Sequence, residues 1–201
     1  FLRLEVWIQG DEGAILTPTT FERMHRFQSI ANKHPAILSS FSYADIHRHL
    51  IQESGQLGED PPLPSNDESG YTQLKTVHST VQLMHEVFRP YHFITREQDQ
   101  ARILLRMSDI GTKKSLEVIR ELEESLTEIF PPDSGLKTRF TGEVFVNSVA
   151  VDRFIRDLSY SFLGAAFVIF AIIAILFRSV LFGLVAVLPN MTPLILTMGY
   201  M

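Results

Sequence analysis

The side chains best suited to chemistry in this sequence are its seven histidines. His47 and His49 flank Arg48, and on a helix they point about 200° apart, so one metal ion could not easily take both. His78 and His85 are seven residues apart and share a helix face, but two ligands without a third make a poor zinc site. The spacing therefore favours solvated helix histidines and predicts no metal site.

The remaining chemistry-bearing patterns are equally unpromising for catalysis. The sequence contains no P-loop, no G-x-S-x-G, no H-E-x-x-H and no dinucleotide fingerprint. It also contains no cysteine, which excludes disulfides and thiolate metal sites. Glu123 and Glu124 are predicted to be an exposed pair on a helix whose inner face carries Leu122 and Leu126. We therefore expect no catalytic residue, no cofactor and no enzymatic activity.

Charge is distributed unevenly along the chain. The 201 residues carry 18 basic and 23 acidic side chains, a net charge of −5 that does not suggest a nucleic-acid partner. From Leu158 to Met201 the one charged residue is Arg178. An acidic, water-soluble part is thus followed by an apolar tail. This division excludes a uniform cytosolic enzyme, and the C-terminal position of the apolar run excludes a secretory signal peptide.

The apolar tail has the length and composition of two membrane spans. Residues 158–177 form an uncharged stretch, and a helix needs about 20 apolar residues to cross the hydrocarbon core. We predict one long helix over 143–178, spanning the membrane from about 158, and a second transmembrane helix over 179–201. Arg178 and Ser179 form the turn of this helical hairpin. The chain starts at Phe1 and stops inside an apolar run, so we expect a fragment of a longer protein whose second span is truncated.

The second span carries a stripe of small and polar residues at spacings of 3, 4, 3 and 4. Such residues permit close approach and interhelical hydrogen bonds, so the stripe is predicted to pack against other helices. The alternative is that Pro189 and Pro193 merely kink the helix and the pattern arose by chance. The stripe consists of Gly183, Ala186, Asn190, Pro193 and Thr197.

Residues 1–142 mix helix and strand patterns with short connections, which predicts an α+β domain of ferredoxin-like character. Residues 53–70 contain too few apolar side chains to order themselves and are predicted to be a mobile loop. The order of elements is β-α-β-α, the loop, then α-β-β-α-β. The predicted elements are a strand at 2–8, a helix from Pro18, a strand at 36–42, helices at 43–51 and 74–88, a hairpin at 91–107, a helix from Thr112 and a strand at 136–141.

Both ends of the chain resemble one protein family. The opening LEVWIQGDEGAILTPTTFERMHRFQSIANKHPAILSSFSYADIHRHL resembles the start of a porter domain in the RND (resistance–nodulation–division) exporter superfamily. The closing part is similar to the segment from the last porter strand through two spans. Its matching motifs are TG at Thr141 and Gly142, FRS at 177–179, and LPN..P from Leu188 to Pro193. They resemble the MMPL-like branch, which is related to sterol-sensing domains.

The resemblance implies a pump of two such halves that uses proton flow to export hydrophobic or amphiphilic molecules. It implies a multi-pass protein of the cell membrane, and of a bacterial cytoplasmic membrane in particular. Residues 1–142 are then extracytoplasmic, and Arg178 and Ser179 lie on the cytoplasmic side. The implied partners are membrane lipid, the remaining helices, the second half of the transporter, the substrate and possible further copies of the pump. The family's acidic relay lies in a span that this chain does not reach. A membrane-anchored sensor with an extracytoplasmic ligand-binding domain is the alternative.

Overall fold

The computed structural model describes residues 1–53, 62–83, 93–181, 183–185 and 192. The chain divides into two compact units, Phe1–Val149 and Ala150–Met201. A short 3-10 turn at Pro132–Ser134 precedes the last strand. The elements in chain order are β1 (Leu2–Gln9), α1 (Pro18–Ala31), β2 (Ile37–Phe41), α2 (Tyr43–Glu53), α3 (Glu68–Leu83), β3 (Gln100–Met107), α4 (Thr112–Ile129), β4 (Lys137–Thr141) and α5 (Glu143–Leu176).

Four antiparallel strands form one sheet in the order β2-β3-β1-β4, which confirms the predicted α+β class. β1 pairs with β3 along its whole length, from Leu2 opposite Met107 to Gln9 opposite Gln100. On its other side β1 pairs with β4, where Glu5 is opposite Thr141. β1 is therefore an inner strand with partners on both edges.

The alternation of β1 separates two different faces of the sheet, because successive side chains of a strand point to opposite faces. Leu4, Val6 and Ile8 are completely buried, whereas Glu5 and Trp7 lie on the other face and are half-buried. The buried face joins a core supplied mainly by α1 and α4. Its fully or almost fully buried members from these helices include Phe21, Met24, Phe27, Val118, Ile119, Leu122, Leu126 and Ile129.

Local capping explains where two of the helices begin. Thr17 caps α1 by accepting a 3.2 Å hydrogen bond from the Thr20 N–H, with Pro18 at the first helical position as predicted. Asp67 does the same for α3, because its Oδ1 accepts the Gly70 N–H at 2.9 Å. α3 thus starts inside the stretch 53–70, and Glu53 still belongs to α2. The loop predicted over that stretch is too long at both ends, and 54–61 lie outside the described residues.

The hairpin predicted at 91–107 forms with a short first arm. β3 forms as predicted, and Ile94 makes an antiparallel bridge to Ala101 with backbone hydrogen bonds on both sides of it, while 91–92 lie outside the described residues. The physical reason is competition for the edge of β3. β2 occupies that edge from Leu104 to Met107, which leaves only the first residues of β3 for the segment at Ile94.

α5 is the longest described helix, with 34 residues from Glu143 to Leu176. Its most apolar window of 18 residues has a mean hydropathy of 2.3, and none of that window is buried. By length and composition it could cross a membrane, and it is the one such helix in the described part of the chain. An isolated apolar helix in water would expose this surface at a large free-energy cost, whereas lipid accommodates it.

Gly142 connects β4 to α5 and gives the first testable prediction. Its φ is +92°, and a Cβ there would lie 3.0 Å from the Glu5 nitrogen and 3.1 Å from the Arg3 oxygen. Gly135 has a similar φ of +73° but open space around it. Gly142→Ala should therefore lower the free energy of unfolding by about 1 kcal/mol or more beyond Gly135→Ala, because overpacking adds to backbone strain.

The measurement is urea unfolding of the 201-residue chain in detergent, followed by the fluorescence of Trp7, the sole tryptophan. Gly135→Ala is the matched control, since it introduces the same side chain at a left-handed backbone without the close approach. Equal destabilisation by the two substitutions would contradict the role assigned to the contact between Gly142 and β1.

Candidate functional site

A cleft of about 600 Å³ lies within the unit Phe1–Val149. One wall comes from α2 and α3, through Tyr43, Ile46, His78, Val81 and Gln82. The sheet wall comes from Glu5, Trp7, Arg102 and Thr141, and the segment 93–97 with the start of β3 supplies the rest of the lining. The volume is within the range of about 300–1,000 Å³ that is typical of small-molecule sites.

The sheet wall is charged, and strand register determines its layout. Trp7 is directly opposite Arg102 on β3 and Arg139 on β4, so the indole lies between two cations. The Arg139 guanidinium carbon is 4.9 Å from the centroid of the Trp7 ring, within the range of a cation–π contact. Arg102 also pairs with Glu5, with 3.6 Å between Nη1 and Oε2. Of these side chains Trp7, Arg102 and Glu5 line the cleft, so its sheet wall combines an aromatic ring with one cation and one carboxylate.

Trp7 has an unsatisfied hydrogen-bond donor. Its Nε1 is buried and has no hydrogen-bond partner. Most buried polar atoms in proteins are hydrogen-bonded, and leaving one unpaired costs about 1–3 kcal/mol. An indole nitrogen can only donate, so the group that would satisfy it must be an acceptor.

The helical wall contains a hydrogen-bonded chain of three side chains. Tyr43 Oη and His78 Nδ1 are 2.8 Å apart, and His78 Nε2 is 3.0 Å from Gln82 Nε2. When Gln82 donates to Nε2, the other ring nitrogen carries the proton and donates to Tyr43, whose own O–H is left free to donate. Burial raises the pKa of the Tyr43 phenol and lowers the pKa of His78, so both are neutral at pH 7.

His47 is buried on the same helix as Tyr43. Its ring meets the edge of Phe21 with 5.4 Å between centroids, and its Nε2 has no hydrogen-bond partner. Burial lowers its pKa to about 4, because a charged imidazolium would lose its hydration there.

The prediction of solvated histidines is thus wrong for His47 and His78, since both face the interior. It holds for His49, which is exposed, while His85 lies outside the described residues. The exposed pair Glu123 and Glu124 is confirmed. In the ranges that the structure describes, no three His, Asp or Glu side chains are grouped so that they could hold a metal ion.

The predicted packing stripe can be described at one position. Gly183 is buried, and a Cβ there would lie 3.1 Å from the Phe170 ring and 3.2 Å from the Ala174 Cβ. Gly183 therefore packs closely against α5, within the unit Ala150–Met201. The other four members, Ala186, Asn190, Pro193 and Thr197, lie outside the described residues.

Arg178 and Ser179 form a capped turn at the end of α5. The Arg178 N–H donates to the Ile175 carbonyl at 3.2 Å, and the Ser179 N–H donates to the Ala174 carbonyl at 3.1 Å. This pair of bonds is the Schellman arrangement, which requires a left-handed residue, and Arg178 has a φ of +47°. Glycine normally occupies this position, since an L side chain there costs roughly 1–2 kcal/mol.

His47 gives a prediction for the pH dependence of stability. Its pKa is 6.5 in the unfolded chain and about 4 in the fold, so the unfolded state binds more protons between these values. The stabilisation that the neutral His47 side chain provides is complete above pH 6.5 and is lost as the pH falls through 4. His47 should contribute up to about 3 kcal/mol to that loss.

Urea unfolding of the chain between pH 4 and pH 7 tests this contribution. His47→Leu should flatten the acid limb of the stability curve, whereas the matched control His49→Leu on the exposed side of α2 should leave it unchanged. An acid limb of the same slope in His47→Leu and the unsubstituted chain would refute the assignment.

Comparison with known proteins adds one finding to this geometry. The model of the MMPL family matches residues 60–200. This range runs from before α3 through the cleft wall, the last strand and α5. No curated protein matches the chain. Because the family model covers most of its length, the chain belongs to the MMPL family.

Proposed function

We propose that this chain is part of a proton-driven secondary transporter of the RND type, which exports hydrophobic or amphiphilic molecules. The observation that carries the proposal is the extent of the MMPL match, which includes the part of the cleft-bearing domain from α3 onward and the apolar helix α5. A soluble domain with a ligand-sized cleft and a membrane-crossing helix are the two parts that such a transporter needs.

The sheet topology supports a ferredoxin-like porter domain. α1 connects β1 to β2, and α4 connects β3 to β4. In the order β2-β3-β1-β4 each of these strand pairs is parallel and separated by one antiparallel strand. Two such split β-α-β units are the ferredoxin-like arrangement. α2 and α3 are additions between β2 and β3, and they supply the helical wall of the cleft.

The turn at Arg178 and the close packing of Gly183 on α5 support a membrane hairpin. In the proposed topology residues 1–142 are extracytoplasmic, the Arg178–Ser179 turn is cytoplasmic, and the protein is a multi-pass component of the cell membrane. The small-residue stripe that begins at Gly183 would face the remaining helices of the transporter. A sensor would share the order of domain and span, but no observation favours it over the transporter.

Transport is tested on the protein that contains this chain, in inverted membrane vesicles to which the fluorescent amphiphile Nile red is added from outside. A proton gradient should drive movement of the dye across the membrane, and a protonophore should abolish it. Vesicles from cells without the gene are the control. Dye movement that the protonophore does not reduce, or that persists in vesicles from cells without the gene, would contradict the proposal.

Orientation is tested by thiol labelling, because the chain itself has no cysteine. Ser79→Cys lies on the exposed side of α3, and Ser179→Cys lies in the turn after α5. A membrane-impermeant maleimide should label the first in intact cells and the second only after permeabilisation. The reverse pattern would show that the proposed topology is inverted.

A further inference from the structure

The two ends of α2 are attached to neighbouring helices by different chemistry. At the N-terminal end the Asp45 carboxylate accepts a 2.7 Å hydrogen bond from the Ser42 N–H and a 2.6 Å hydrogen bond from Gln28 of α1. Tyr43 adds its 2.8 Å hydrogen bond to His78 of α3. This end of α2 is therefore held by polar contacts to two helices.

The C-terminal part of α2, residues 47–53, depends on a contact between an imidazole and a guanidinium. His25 of α1 lies with its Nδ1 3.2 Å from Arg48 Nη2. A guanidinium can only donate hydrogen bonds, so this ring nitrogen accepts and carries no proton. Protonation of His25 would replace the hydrogen bond with two cations in contact.

His47 is the second imidazole on which this part of α2 depends. It is 3% exposed, its ring packs against Phe21 of α1, and its Nε2 has no hydrogen-bond partner. Burial lowers its pKa to about 4, because the charged ring would lose its hydration without gaining a partner. Proton uptake by His47 near pH 6 therefore requires that the ring leave this environment.

We propose that residues 47–53 form an acid-sensitive flap, which leaves α1 when His25 and His47 take up protons while the N-terminal end of α2 stays attached. Ile46 lines the cleft and directly precedes the flap, so its release would alter this wall of the cleft. The flap is defined by proton uptake alone. It rests on the proposed function only for the source of the protons, which would be the extracytoplasmic solution.

The contact between α2 and α3 is compatible with a protonated histidine. A charged His78 keeps its hydrogen bond to Tyr43 through Nδ1, and the Gln82 amide can turn to accept from Nε2. Acid therefore does not remove the attachment of α2 to α3. The imidazoles that face α1 have no such alternative partner in the described part of the chain.

The other charged groups around α2 do not replace the two imidazoles. Across the cleft β3 presents Arg102, which pairs with Glu5, and Arg106 of the same strand stacks over Phe1. His49 and Glu53 of α2 are exposed. The remaining charged side chains of α1 and α3 are Glu22, Arg23, Arg26, Glu68 and Lys75, of which all but Arg23 are exposed.

His47 alone sets a minimum for the size of the effect. With the released ring titrating at 6.5 and the packed ring at about 4, the ratio of released to attached flap rises about tenfold between pH 7.5 and 5.5. The released state binds more protons, so a lower pH favours release. His25 should add to this factor, and the burial of Ile51 keeps the flap attached at neutral pH.

The experiment measures amide hydrogen exchange in the 201-residue chain in nanodiscs of zwitterionic lipid. Labelling is done at pH 7.5 and 5.5, with and without about 1 M urea. Each exchange rate is divided into the rate of an unstructured chain at the same pH, which gives a protection factor. A peptide covering residues 47–53 reports on the flap, and α4 is the reference within the same unit.

We expect the protection of residues 47–53 to fall at least tenfold from pH 7.5 to 5.5. At pH 5.5 it should lie at least tenfold below that of α4. It should also be insensitive to urea, because a local release exposes little surface.

Three variants test which imidazole is responsible. His47→Phe keeps a ring that cannot bind a proton, and it should reduce the pH response to less than about threefold. His25→Gln keeps an acceptor for Arg48 and should reduce the response by a smaller factor. His49→Gln is the matched control on the exposed side of α2 and should leave the response unchanged.

Three results would overturn the proposal. Protection of residues 47–53 that changes less than twofold in the unsubstituted chain would show that protons do not release the flap, and this result needs no variant to fold. Protection equal to that of α4 at both pH values would show that the segment opens only when the whole unit unfolds. A full response in His47→Phe would show that another group drives release. Absence of dye transport would instead refute the proposed function and leave the flap standing.

Discussion

The pleat of β1 is the constraint on which the rest of this domain depends. β1 is paired on both edges, and its Leu4, Val6 and Ile8 enter the core while Glu5 and Trp7 face the cleft. Burial of each aliphatic side chain contributes roughly 1.5–3 kcal/mol. A shift of one residue in register would exchange the two faces, so the free energy of the core also fixes the position of the charged wall.

The second wall of the cleft depends on polar groups that the fold buries. Tyr43 on α2 and His78 on α3 share a 2.8 Å hydrogen bond beside Phe21. A shift of α2 against α3 that broke this bond without admitting water would leave two neutral polar groups unpaired in an apolar environment, which costs more than the bond contributes when made. The hydrogen bond therefore fixes how α2 and α3 meet, and with it the shape of the apolar wall.

Local patterns in the sequence were sufficient to predict the elements but not the site. The alternation of β1, the Pro18 start of α1 and the apolar length of α5 all depend on neighbouring residues, and each prediction agrees with the structure. The buried state of His47 and His78 depends instead on which helices pack together. Tyr43 and His78 are 35 residues apart, and no spacing rule relates them. The shortness of the first arm of the hairpin has the same origin, because β2, which lies far away in sequence, occupies most of the same edge of β3.

The two unusual backbone positions at the ends of α5 have different physical causes. At Gly142 a Cβ would lie only 3.0 Å from the backbone of β1, so close contact disfavours a side chain in addition to the positive φ. At Arg178 the left-handed turn would be more stable with glycine, yet the chain places a long cation there. An arginine can keep its charge in water while its stem lies along apolar surface, and the nearby Phe177 and Val180 are exposed. In the proposed topology this turn lies at the polar boundary of the membrane, where the hydration of the guanidinium compensates for the strained backbone.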